Sequence, residues 1–180
     1  RSFVIAITNG ILISPEQGYS NWFSPTNFEW SSGGNASGYR LFMDGGLLYE
    51  GSGTNFSIAT NFQAGTHTWH VAATNGTEFI SYGTNSFFVS ISTPNLISPS
   101  NGLNSLIPID TFTWNSSSNA AGYILNLNGT DIYSGAADNF TSSSNAGIGT
   151  NSWFVIATNT TVQIFSSTNT FVVTLPAPLL

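Results

Sequence analysis

His67 and His70 stand three residues apart in the stretch GTHTWHV and are the only histidines in the chain. Imidazoles can ligate a metal or serve as a general base. The alternation around them reads as a β-strand, where residues i and i+3 point to opposite faces, so the pair does not close on one ion. The carboxylates Glu16, Glu29, Asp44, Glu50, Glu78, Asp110, Asp131 and Asp138 fall in no calcium-loop spacing. There is no Cys, no phosphate loop and no nucleophile elbow. The expectation is a non-enzymatic protein with no catalytic residue, no metal ligand and no cofactor.

One covalent chemistry is encoded. Asn-X-Ser/Thr acceptor sequons for N-linked glycans begin at Asn35, Asn55, Asn75, Asn115, Asn128, Asn139 and Asn159. A chain this rich in Asn, Ser and Thr produces several by composition. Placement says more: Asn55 recurs as Asn139 and Asn75 as Asn159, and all four fall at predicted turns. Covalent glycans are therefore a candidate partner.

Charge restricts the remaining partners. Arg1 and Arg40 are the only cations besides the histidines, and the net charge is −6. Too few cations exist to neutralise phosphates, so nucleic acid is not an expected partner. No apolar run reaches the ~20 residues of a membrane-spanning helix, so no membrane insertion is expected. Charged residues make up 6% of the chain, against about 25% in ordinary soluble domains. The surface must consist mostly of Asn, Ser, Thr and Gly.

The elements that position these residues come in two copies. Shifted by 84 residues, Pro15 meets Pro99, Trp30 meets Trp114, Tyr39 meets Tyr123, Trp69 meets Trp153 and Phe87 meets Phe171. Each copy is a series of short runs with period-2 alternation, such as TFTWN, GYILNLNG and NSWFVIATN, separated by Gly, Asn and Ser turns. No segment carries a helical stripe. Periodicity and length predict an all-β chain of two tandem seven-stranded antiparallel β-sandwiches plus an extra N-terminal strand. The divisions are 1–8 for the surplus strand, 9–92 and 93–176 for the repeats, and 177–180 for the start of a next repeat or a tail.

The order Pro, FxW, GYxLxxxG, GT--W-V-ATN and S/T-F-x-V resembles a fibronectin type III domain, in both copies. The resemblance implies an immunoglobulin-like β-sandwich used for spacing and adhesion in secreted and cell-surface proteins. Trp69 and Trp153 depart from it, standing on a late strand where that family usually carries Tyr. No Arg-Gly-Asp tripeptide is present.

The last strand of the repeat occurs three times, at 2–7, 86–91 and 170–175, while the body occurs twice. Phe3, Val4, Ile5 and Ile7 are thus candidates for a linking strand. Left in water, each of its inward apolar side chains would forfeit about 1.5–3 kcal/mol. The surplus strand can belong to a longer array, add to a sheet of another copy, or extend its own first sandwich. The expected function is an extracellular structural protein, a subunit or segment of a cell-surface filament, pilus-like fibre or stalk. Its partners are other copies of itself or adjoining repeats. The alternative is a carbohydrate-binding or adhesin module, with Tyr19, Trp22, Phe23 and Phe88 as a partner surface.

Overall fold

The computed structural model describes residues 6–175. The chain forms two units, divided between Ser90 and Ile91. The first holds β1 (Leu12–Ser14), β2 (Tyr19–Asn21), β3 (Asn27–Trp30), β4 (Gly38–Met43), β5 (Gly46–Gly51), β6 (Asn55–Ser57), β7 (Gly65–Thr74) and β8 (Phe79–Val89). The second holds β9 (Leu96–Ser98), β10 (Leu103–Ser105), β11 (Thr111–Trp114), β12 (Gly122–Leu127), β13 (Thr130–Gly135), β14 (Asn139–Thr141), β15 (Gly149–Thr158), β16 (Gln163–Phe165) and β17 (Asn169–Val173).

Each unit is a fibronectin type III-like sandwich. In the first, a sheet ordered β1-β3-β6 faces one ordered β2-β8-β7-β4-β5. The second repeats this with β9-β11-β14 and β10-β17-β15-β12-β13, and β16 also pairs β15. Alternation builds the interior: along β7, Trp69, Val71 and Ala73 are buried and the residues between them are not. The two interiors share their ring geometry. Phe28 meets Trp69 edge-on at 5.3 Å, and Phe112 meets Trp153 at 5.2 Å. Such aromatic pairs contribute about 0.5–1.5 kcal/mol beyond their buried area.

Turn chemistry sets the hairpins. Asp44 and Gly45 between β4 and β5 have φ of 48° and 80°, and Asn128 and Gly129 between β12 and β13 have 53° and 83°. Two left-handed residues in a two-residue loop match the twist of the paired strands, which is why Asp-Gly and Asn-Gly stand there.

The strand count differs from seven per unit, and not all pairing is antiparallel. Pro15 and Pro99 cannot donate to a ladder, so the first strand stops before each proline. It resumes beyond it in the other sheet, where β2 and β10 run parallel to β8 and β17. The second unit gains a further strand because its last strand is broken between β16 and β17, where the first unit keeps one continuous β8.

Candidate functional site

The linking strand leads to the junctions of the repeat. Residues 1–5, with Phe3, Val4 and Ile5, lie outside the described residues. Ile7 is 4% exposed and belongs to the first unit's own core, which also holds Trp30 and Tyr82. Its counterpart Ile91 is 3% exposed in the second unit. The third copy of the position, Leu175, is 71% exposed. Ile7 and Ile91 therefore open a sandwich, whereas the sequence alignment placed them at the end of one.

Hydrogen bonds fix the same junction twice. The Thr8 amide donates to Gly34 O at 2.9 Å, and the Gly34 amide donates to Thr8 Oγ1 at 2.7 Å. In the second unit Ser92 and Ser118 repeat this at 3.1 and 2.7 Å. At the other end of each unit, the amides of Ser90 and Thr174 donate to Asn21 O and Ser105 O. Val89 lies in the core of the first unit, and Ile91 is buried in the second. The stretch 92–95 is tied into the second unit by Ser92 and by the bond from the Asn115 amide to Asn95 O.

The aromatic candidates do not share one surface. Tyr19 packs against the core. Phe88 is half-buried on β8, beside Ser20 of β2 and Thr66 of β7. Trp22 and Phe23 are exposed, with ring centroids 3.6 Å apart and tilted by 31°. Leu106 and Ile107, at the same positions of the second unit, are exposed as well.

The histidines part as their spacing requires. His70 stacks on Phe42, ring centroids 4.8 Å apart, on the outer face of β7. His67 Nδ1 lies 2.7 Å from Asp44 Oδ2, and its Nε2 lies 2.8 Å from Gln63 O. Both ring nitrogens face oxygen partners that hold the loop, and neither faces a hydroxyl that it could activate. Among the described residues no group of three or more His, Cys, Asp or Glu side chains could hold a metal ion. Burial, reinforced by Tyr39, raises the Tyr82 hydroxyl above its ordinary range, while a hydrogen bond with the Gly33 backbone opposes the shift.

The sequons fall in different settings. Asn55 and Asn139, expected at turns, instead open the outer strands β6 and β14, both exposed. Asn75 Oδ1 accepts from the Thr77 and Glu78 amides, and Asn159 Oδ1 from those of Thr161 and Val162. Asn35 Nδ2 donates to Ala6 O, and Asn128 Nδ2 donates to Asn151 Oδ1. Asn115 is exposed, but the hydroxyl of its sequon, on Ser117, is buried. Sequence spacing could not show that Asn35 and Asn128 are engaged, because their partners Ala6 and Asn151 lie 29 and 23 residues away.

No family profile and no curated protein matches the chain. Among the solved structures it resembles are fibronectin type III and immunoglobulin domains. The fibronectin(III)-like modules of Clostridium thermocellum CbhA are 14% identical, covering 92% of this chain and 93% of theirs, with a TM-score of 0.38. A two-domain fibronectin type III segment of chicken tenascin is 12% identical, covering 91% and 96%, with a TM-score of 0.47. The four N-terminal immunoglobulin domains of Dscam1 are 11% identical, covering 96% of this chain and 48% of that one, with a TM-score of 0.40. The assignment of the fold rests on the strand order above.

Proposed function

We propose that this chain is a structural module of an extracellular filament or stalk, in which sandwiches follow one another head to tail and strand addition joins copies. The observation that carries this reading is the fate of one repeated position. Ile7 and Ile91 are buried as the first core residue of a unit, and Leu175 stands 71% exposed at the same place in the period. A following sandwich would bury that leucine, worth about 1.5–3 kcal/mol. Leu175 then takes the place of Ile7 and Ile91 as the first core residue of a next unit, in the same polypeptide or in another copy.

The added strand does not fill a gap in either unit. The place of β8 lies between β2 and β7, and that of β17 between β10 and β15, each supplied by the chain itself. Addition therefore augments an outer strand or continues an array. Head-to-tail contacts of this kind are heterologous and propagate as fibres.

The test is electron microscopy and sedimentation of the full chain at rising concentration. The expected result is end-to-end polymers, reduced to monomers by Leu175→Asp or by removal of residues 1–5. Removal stops at residue 5 because Ala6 and Ile7 are built into the first unit. Polymers of unchanged geometry in both variants would sink strand addition. Native material that stays monomeric at every concentration would sink the filament.

The exposed pair Trp22 and Phe23 favours a second reading, an adhesive or carbohydrate-binding surface. That reading expects glycan-dependent quenching of tryptophan fluorescence, lost in Trp22→Ala. Flat titrations across a glycan panel would remove it.

A further inference from the structure

The outer edges of the smaller sheets are protected unequally. Each three-stranded sheet has two outer strands. On one side, β1 and β9 carry a register break against their partners and run into Pro15 and Pro99. A break twists an edge away and proline offers no N–H, and both hinder a second chain from adding. On the other side, β6 and β14 pair in unbroken register with β3 and β11. Their sequences, Asn-Phe-Ser and Asn-Phe-Thr, contain neither proline nor charge. Lysine is a common guard at such an edge, and this chain has none. Of the outer strands of the larger sheets, β5 carries Glu50 and β13 carries Asp131, while β2 and β10 carry no charge.

Both bare edges are sequons, Asn55-Phe56-Ser57 and Asn139-Phe140-Thr141. The phenylalanines turn inward onto Tyr49 and Tyr133, at 5.1 and 4.9 Å between ring centroids. Alternation then sets each asparagine and its sequon hydroxyl on the outward face together. Among the described residues no hydrogen bond engages the Asn55 side chain. That of Asn139 donates only to its exposed neighbour Asp138, at 3.2 Å. Asn128 is different. Its Nδ2 donates to Asn151 and its Oδ1 accepts from the Ser152 amide, so a sugar on that nitrogen would disturb the bond that anchors the β12–β13 turn.

We propose that Asn55 and Asn139 each carry an N-linked oligosaccharide, and that the sugar guards these edges in place of charge. In the transfer, Asn Nδ2 attacks the anomeric carbon of a polyprenyl-diphosphate-linked oligosaccharide. The N–C1 bond forms and the bond from C1 to the phosphate oxygen breaks. The amide gives up one proton and the lipid diphosphate leaves. No oxidant or reductant is involved, and the transferase is that of the secretory pathway. The assignment rests on the extracellular reading above.

The test is occupancy, measured on the full chain secreted from a yeast host. Chymotryptic peptides are deglycosylated enzymatically in heavy-oxygen water and weighed by mass spectrometry. Asn55 and Asn139 are expected to be modified in most molecules and Asn128 in few. Unmodified Asn55 and Asn139 would overturn the assignment. The guarding role is read by light scattering of Asn55→Gln/Asn139→Gln and of Ser57→Ala/Thr141→Ala, each in the Leu175→Asp background where end-to-end assembly is off. Both are expected to scatter several-fold more than their glycosylated parent. Glycan-free chains that stay as monodisperse as the parent would overturn the guarding role. Neither outcome bears on the filament, which the Leu175→Asp polymer assay decides separately.

Discussion

The two units share an interior and differ where that interior meets its surroundings. In the first, Tyr82 is buried and its hydroxyl donates to Ser31 O at 3.3 Å. Room for its ring comes from Gly10 and Gly33, where a Cβ would lie 2.5 Å from the ring and 2.8 Å from the hydroxyl. The second unit places Pro94, Ser117 and Ser166 at these positions. There the Val155 amide donates to Ser166 Oγ at 2.9 Å, and the last strand breaks nearby. A large side chain and two small ones have been exchanged together. The lesson is that packing volume is settled jointly across strands, not residue by residue.

Charge differs in the same way. The Asp44–His67 pair becomes Asn128–Asn151, and each version ties the hairpin turn to the start of the neighbouring strand. Thr68 N donates to Asp44 Oδ1 at 2.8 Å, and Ser152 N to Asn128 Oδ1 at 2.9 Å. Across the outer face of the larger sheet, the row Arg40, Ala72, Ser81 becomes Ile124, Ile156, Phe165. One framework thus presents a polar face in one unit and an apolar one in the other.

Exchanging residues between the units tests this comparison. Tyr82→Ser, which installs the second unit's residue, should show the largest effect. By analogy with aromatic-to-small core substitutions it costs about 3–5 kcal/mol, read as a lower midpoint in calorimetry. A loss under about 1 kcal/mol would mean the site collapses around the gap. Gly10→Ala should cost about 1–3 kcal/mol through overcrowding, and much of that cost should vanish in the Tyr82→Ser background. Strict additivity in that double-mutant cycle would separate the two positions.

Asp44→Asn alone should cost about 1 kcal/mol, and Asp44→Asn/His67→Asn should recover most of it by rebuilding the second unit's amide pair. Denaturant midpoints of the single and double variants check this. The smallest effect concerns alkali. Burial makes the Tyr82 hydroxyl hold its proton more tightly in the folded chain than an ordinary tyrosine does. Its stabilising contribution is full below about pH 10 and is lost as pH rises through the higher folded value. Tyr82→Phe should therefore flatten the alkaline fall of stability, and an unchanged slope would count against it.

The interior was legible because alternation is a local signal. Trp30, Tyr39, Trp69, Val71 and Phe87 and their counterparts were visible as inward positions, and all are buried. Asn126 was not legible: it stands at an outward position of β12, yet it is 8% exposed, folded over the turn to meet Gly129 N and Asp131. The junction was misplaced for a related reason. Alignment shows that Ile7, Ile91 and Leu175 are equivalent, but nothing in a periodic sequence marks where one unit ends and the next begins. The candidate edges were half legible. The sequons could be read directly, while the unguarded state of β6 and β14 required knowing which strands lie outermost.

By itself the sequence determined the class of fold, the number of repeats, the inward faces and the poverty of charge, because each follows from residue type and spacing along a few neighbouring positions. Tertiary structure decided which unit owns Ile7, which strands are edges, which asparagines keep their amides engaged and which glycines make room for Tyr82. Those are contacts between positions tens of residues apart, and local spacing carries no information about them until the strands are paired.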